Sequence, residues 1–209
     1  MRKLYNIEEK KRLEKELYLA GFNFIGGADE VGRGPLAGPV VCAAVILPKN
    51  SNIIGIDDSK KLSAKKREEL YDKIIADAIS YSIEYVFEDE IDDINILNAT
   101  KKCMSKAINN LSVKPDIMLI DALTGLDIKC ESRAIVHGDA ISYCIGAASI
   151  LAKVSRDRFM DALDEKYPVY GFKQNKGYGT KQHIDALYKY GPSEVHRKAF
   201  LKFLPNINK

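Results

Sequence analysis

One stretch limits the fold more than any other: VVCAAVIL, residues 40–47, is apolar at every position. A strand with one wet face alternates apolar and polar residues. A strand apolar throughout must be covered on both faces. Pro35 and Pro39 stand just before it, and neither can donate to a strand ladder, so GRGPLAGP (residues 32–39) is a loop. Residues 23–31 read as a second extended segment upstream of that loop. The chain therefore needs a sheet with a layer on either side.

Helix signals supply those layers. Asn6 can cap a helix over residues 6–20, with Glu9 three residues on, Ile7, Leu13 and Leu17 as the apolar stripe and Gly21 as the stop. Ser63 can cap another through residue 79, with Leu70, Ile74, Ile75 and Ala78 on one side. A strand over 81–87 follows, then a helix from about residue 92 that buries Leu97, Met104, Ala107, Ile108 and Leu111. DIMLI (residues 116–120) is a short buried strand that delivers Asp121 at its end, and residues 133–136 form another. Asp139 then stands at the start of a long helix to about residue 166. The Gly146-Ala147-Ala148-Ser149 start of that helix permits close packing on a sheet. Thr180 begins a last helix, stopped by Gly191-Pro192. Strands mixed with helices indicate an α/β or α+β core with a helical C-terminal part. There is no internal repeat and no low-complexity linker. At 209 residues and 46% hydrophobic content, one integrated domain is expected. Within it we distinguish an N-terminal helix (1–22), a core (23–166) and a helical C-terminal segment (167–209).

Several function classes drop out. Cys42, Cys103, Cys130 and Cys144 make no C-x-x-C pair, and three of them lie in apolar surroundings, as free thiols in a reducing compartment would. His137, His183 and His196 have no zinc-like spacing. The N-terminus is charged and amphipathic rather than a signal core, and no apolar run approaches the roughly 20 residues of a membrane span. A cytoplasmic protein with no membrane contact is expected. From Lys153 onward, 12 Lys or Arg face 6 Asp or Glu, so a chain of net charge +3 carries −3 in its first 152 residues. A basic C-terminal quarter beside an acidic body suits a polyanion at one end and a metal site elsewhere, although a solvated helical surface gives the same count.

Asp29 and Glu30 are adjacent carboxylates after an apolar, glycine-containing strand. Near a core they are costly unless a cation neutralises them, and hard divalent ions prefer such oxygens. An isolated Asp-Glu pair is ordinarily two surface acids, and strand neighbours point to opposite faces, so one site for both requires a kink or a side chain reaching round from the edge. Gly32-Arg33-Gly34 follows, an arginine fork between two residues that let another backbone approach closely. Ser59-Lys60-Lys61, with Lys65, Lys66 and Arg67, makes a dense basic cluster, the last three reading as a solvated helix start. Gly177-Tyr178-Gly179 places an aromatic ring in a basic stretch.

The string GGADEVGRGPLAGPVVCAAVIL resembles the opening of bacterial ribonuclease HII. DDSKKLSAKKREELYDKI, NILNAT, MLIDAL, HGDAISYCIGAASILAKVSRD and GFKQNKGYGTKQHIDAL with GPSEVHRKAF continue the match in the family's order, over about residues 24–203. The resemblance implies a ribonuclease H-like α/β fold: a mixed β-sheet flanked by helices, with a helical C-terminal segment. It implies a catalytic, metal-binding set of Asp29, Glu30, Asp121 and Asp139, holding two Mg²⁺ or Mn²⁺ ions. It implies substrate contacts from Gly32, Arg33, Gly34, Ser59, Lys60 and Tyr178, the tyrosine standing beside the ribonucleotide–deoxynucleotide junction. The activity implied is an endonuclease that cuts the RNA strand of RNA/DNA hybrids and incises 5′ of single ribonucleotides in duplex DNA, leaving 5′-phosphates. It would act as a monomer, with contact to a sliding clamp left open. One departure is His137, where the family usually has lysine; an imidazole replaces a permanent charge. Rival readings are a hybrid-binding module without catalysis and another metal-dependent phosphoryl transferase on the same fold. Four retained carboxylates argue against the first, since they would repel nucleic acid without metal. Ser59-Lys60-Lys61 and the Tyr178 loop argue against the second.

Overall fold

The computed structural model describes residues 6–204; the outer ends of the expected N- and C-terminal segments, residues 1–5 and 205–209, lie outside it. The chain begins with helices α1 (Ile7–Lys10) and α2 (Arg12–Leu19), followed by strands β1 (Ile25–Val31) and β2 (Val40–Ile46). Helix α3 (Ala64–Asp77), strand β3 (Ser80–Val86) and helix α4 (Glu88–Asn109) come next. Strands β4 (Ile117–Asp121) and β5 (Glu131–Ile135) lead into α5 (Gly138–Ile141) and the long α6 (Tyr143–Lys166). Helices α7 (Phe172–Asn175) and α8 (Lys181–Tyr190) complete the C-terminal part.

The expected mixed sheet flanked by helices is present. Five strands run in the order β3-β2-β1-β4-β5, the first three antiparallel and β1-β4-β5 parallel. β2 lies inside the sheet and is buried along its whole length, as its unbroken apolar sequence requires. Alternate residues serve two cores. Cys42, Ala44 and Ile46 face a cluster with Met104, Ala107 and Ile108 of α4, while Ala43 and Val45 face Ala147, Leu151 and Val154 of α6 together with Leu70 and Ile74 of α3. Each large side chain buried this way contributes about 1.5–3 kcal/mol. Helix α6 approaches the sheet closely at Gly27, where a Cβ would come within 2.4 Å of the backbone of Cys144 and Ile145. Only glycine admits that contact.

The side-chain caps at Asn6, Ser63 and Thr180 form where the sequence places them. Three helices depart from expectation, the first being the N-terminal one, which breaks at Lys11 into α1 and α2. α4 starts at Glu88 rather than near residue 92, and it kinks at Asn95 (φ 66°), whose side chain caps a second start by accepting from the N–H groups of Leu97 and Asn98. Asp139 does not open the long helix. It sits in the separate turn α5, and Ser142 then interrupts the helix and caps α6 through the N–H of Ile145.

Candidate active site

The carboxylates gather where β1 and β4 end. The β1–β4 ladder stops at Ala28 and Ile120, while β1 runs on against β2 through Glu30 and Val31. Asp29 therefore projects beside Asp121, the last residue of β4. Asp121 accepts the N–H of Gly138 (2.7 Å), which draws the α5 turn, and Asp139 with it, onto the strand end. Asp29, Asp121 and Asp139 each bring an oxygen to within 4.8 Å of the others.

The kink expected at Asp29-Glu30 does not occur, because the pairing with β2 is continuous across both residues. Strand alternation sends Glu30 to the face of its partner Cys42, opposite Asp29. There it meets Arg33 (3.5 Å), and its second oxygen is buried without a hydrogen-bond partner. Glu30 thus stands next to the converging trio rather than within it.

The electrostatics are unfavourable to bare carboxylates. Burial pushes the Asp29 carboxyl well above its ordinary range, and the charges of Glu30 and Asp121 push the same way. Burial likewise raises Asp139, with Asp58 and Asp121 adding to it. Burial raises Glu30 against the pull of Arg33. Lys60 lies 4.0 Å from Asp139; burial opposes its charge, but Asp139, Asp58, Asp29 and Asp121 outweigh that and raise its pKa. Hard oxygen donors, mutual repulsion and an orphaned buried carboxylate oxygen all suit a divalent cation.

Ser59, expected at the substrate, is only 3% exposed; its hydroxyl pairs with that of Ser149, which in turn hydrogen-bonds Asp29. Arg67 is not the solvated residue its sequence suggests. Its guanidinium donates to the carbonyls of Ser59 and Leu62 and pairs with Asp157, fixing the Ser59–Lys61 turn from behind. The N-terminal helices also reach the site. Lys10 donates to the Ala140 carbonyl (2.6 Å) and pairs with Asp57, while Glu14 accepts from the Ser142 hydroxyl and the Cys144 N–H at the start of α6.

Beyond β1, residues 32–39 wrap around two buried arginines. Arg197 is fully buried and donates to the carbonyls of Gly32, Arg33, Pro35 and Gly38. Arg156, also fully buried, donates to Ala37, Pro39 and Lys176. Burial lowers both guanidiniums, Arg156 to about 10 and Arg197 to about 9, which leaves both charged at neutral pH. Gly32 is required here: it has φ +95°, and a Cβ would strike the Arg156 Nε at 2.4 Å. In trans peptides the N–H of residue i+1 opposes the carbonyl of residue i. With the carbonyls of Gly32 and Arg33 turned in to Arg197, the N–H groups of Arg33 and Gly34 face outward. The Tyr178 turn closes over this loop: Leu36 donates to the Gly177 carbonyl, and a methyl group at Gly34 would lie 3.6 Å from the Tyr178 ring. So Gly32, Arg33, Gly34 and Tyr178 share one wall, and Lys60 reaches Asp139 from the Ser59–Lys61 turn. His137, in left-handed conformation, precedes α5 and accepts the Ala140 N–H. Sequence reading missed Arg156, Arg197, Ser149, Glu14, Lys10, His183 and His196. Their partners are mostly backbone atoms or distant side chains, which leave no local pattern.

Solved structures define the class. The ribonuclease H2 of Pyrococcus horikoshii superposes with a TM-score of 0.73 at 29% identity, over 84% of this chain and 93% of that one. Ribonuclease HII of Archaeoglobus fulgidus, solved in complex with PCNA, gives 0.69 at 25% identity, over 88% and 97%. The fold is therefore that of the type 2 ribonucleases H. The family model for ribonuclease HII matches residues 26–203, and the ribonuclease HII of Acetivibrio thermocellus is 56% identical over 189 residues, 90% of this chain and 74% of that protein. The chain belongs to the ribonuclease HII family.

Proposed function

We propose that this ribonuclease hydrolyses the RNA strand of RNA/DNA hybrids and cuts on the 5′ side of single ribonucleotides in duplex DNA, leaving 3′-hydroxyl and 5′-phosphate ends. The observation that carries this reading is the juxtaposition of two unlike surfaces. Three converging carboxylates stand where β1 and β4 end, and the Gly32–Gly34 segment, with the Tyr178 ring against Gly34, begins just beyond β1.

Asp29, Asp121 and Asp139 would hold the ions, with Glu30 contributing its orphaned oxygen from the other face of the strand. Two divalent ions, Mg²⁺ or Mn²⁺, would supply an activated attacking water and stabilise the leaving 3′ oxygen. Lys60, 80% exposed along its side chain, is free to meet the scissile phosphate while staying near Asp139. Ser59 anchors that lysine's turn and links it through Ser149 to Asp29. The N–H groups of Arg33 and Gly34 suit a 2′-hydroxyl or phosphate oxygen, the Arg33 fork suits phosphate, and the Tyr178 ring stacks on the sugar at the junction. All these groups come from one chain, so a monomer suffices. The four free cysteines fit a cytoplasmic setting, and among the described residues no helix is long and apolar enough to cross a membrane.

A gel assay decides the matter: incubation with Mg²⁺ or Mn²⁺ and a DNA duplex containing one ribonucleotide should give a single cut 5′ of it. Intact substrate with either ion would refute the activity, and equal cutting of all-DNA duplex would refute the substrate.

A further inference from the structure

Behind the Tyr178 turn two histidines stand in contact, and no part of the chemistry above uses them. His183 lies in the first turn of α8 and His196 in the segment that follows the helix; both are buried. Their Nε2 atoms are 3.0 Å apart, so one must carry a proton and the other a lone pair. The backbone at either end settles which. The N–H of Ser193 donates to Nδ1 of His196 at 3.0 Å, and a backbone N–H cannot accept. Neutral His196 therefore carries its proton on Nε2 and donates it to Nε2 of His183. His183 must then carry its own proton on Nδ1, where the Tyr178 carbonyl, which can only accept, lies at 2.9 Å. The polarity runs one way, from Ser193 to Tyr178, and the two rings hold opposite tautomers.

We propose that His183 and His196 are positioning residues for Tyr178: a tautomer-locked neutral pair that sets where the tyrosine ring meets the ribose. The proposal rests on the reading of Tyr178 as the ribose contact. Tyr178 is 43% exposed, so packing does not fix its ring on the solvent side, and its aim comes from its backbone. That backbone is held at both ends. Its N–H donates to the Asn175 carbonyl, and its own carbonyl receives the Thr180 N–H and the His183 Nδ1–H. A proton added to either ring would set N–H against N–H somewhere along the chain. The surroundings oppose such a proton. Burial lowers His183, and burial with the neighbouring His183 lowers His196 to about 4. The other groups facing the pair are the ring of Tyr170, whose hydroxyl donates to the Gly191 carbonyl, the Ser193 hydroxyl beside His196 Nδ1, and the apolar ring of Phe172. The nearby guanidiniums of Arg156 and Arg197 are bound to loop carbonyls.

Two measurements test this. Nitrogen-15 NMR of histidine-labelled wild-type protein at pH 7 should show one Nδ1–H ring and one Nε2–H ring among its buried histidines; an imidazolium, or two like tautomers, overturns the proposal. In kinetics, His183→Phe keeps the ring packing and loses both hydrogen bonds. Its KM for a duplex with one ribonucleotide should rise roughly ten- to a hundred-fold, the scale of a misplaced contact, with a smaller change in kcat. His183→Asn, whose amide N–H sits where Nδ1–H does, should restore most of that loss. Equal loss in both variants, or a loss confined to kcat, overturns the proposal. Adding His183→Phe to Tyr178→Ala should change KM little, and multiplicative losses would mark a merely structural role. A Tyr178→Ala enzyme with wild-type KM refutes the ribose reading and the proposal with it. A Tyr178→Ala loss without a His183→Phe loss refutes the histidine proposal alone.

Discussion

At the ends of β1 and β4, carboxylates converge with their charges only partly compensated. A few residues further along the chain, around residues 32–39, carbonyl after carbonyl meets a guanidinium. The first region has raised carboxyl pKa values and an orphaned oxygen. The second holds two buried arginines bonded to seven backbone carbonyls and a histidine pair with every proton assigned. A site that must accept a charged ligand is left unfinished, and a site that must measure a ribose is made rigid in advance. The contrast predicts that substitutions at the carboxylates cost activity without stability, whereas those in the second region cost stability as well.

The largest effect should be Asp29→Asn. Cleavage of a ribonucleotide-containing duplex should fall on the order of 10³-fold, equivalent to several kcal/mol of transition-state stabilisation. Melting temperature in EDTA should not fall, since one of three repelling charges has gone; near-wild-type cleavage would break the comparison. Arg197→Met should show the opposite face. It strands four inward carbonyls and should cost roughly 3–5 kcal/mol in denaturant unfolding, and a cost below about 1 kcal/mol would show the loop stands without it. Acid sharpens the same region. An unfolded chain protonates this imidazole below its ordinary 6.5, whereas native His196 resists down to about 4. Stability present above 6.5 is therefore lost as pH falls through that window, by up to about 3 kcal/mol for His196, with His183 acting in the same direction. The raised carboxyls of Asp29, Asp139 and Glu30 act in the opposite sense, so the measurement is the difference between wild type and His196→Asn at pH 7 and pH 5. An identical slope in both would exclude the histidine contribution. The smallest effect is ligand linkage. Mn²⁺ at a hundred times its Kd should stabilise the wild type by about 2.7 kcal/mol and leave Asp121→Asn nearly unmoved; equal stabilisation of both would place the ion elsewhere.

Much of the fold was legible because its signals are local. The apolar run of β2 demanded two covering layers and has them, and the caps at Asn6, Ser63 and Thr180 form as their spacing dictates. Boundaries failed where a side chain acted twice. Asn95 restarts α4 in mid-course, and Ser142 separates Asp139 from the long helix it was expected to open. In the site, Asp121 was legible at the end of an apolar strand. The face taken by Glu30 followed from simple alternation, and the kink that would have turned it to the side of Asp29 did not arise. Arg156 and Arg197 stayed hidden for a physical reason. An arginine that binds carboxylates advertises itself by charge pairing, but one that binds carbonyls has partners every residue possesses.

Arg197 joins its loop across a sequence separation of up to 165 residues. Synthesis runs from the N-terminus, so Gly32 leaves the ribosome long before its partner is made. The order of birth thus runs against the order of need: the segment that would read the substrate comes first, and the guanidinium that turns its carbonyls inward follows 165 residues after Gly32. A nascent chain ending before Arg197 carries the carboxylates but not the means to shape the wall beside them.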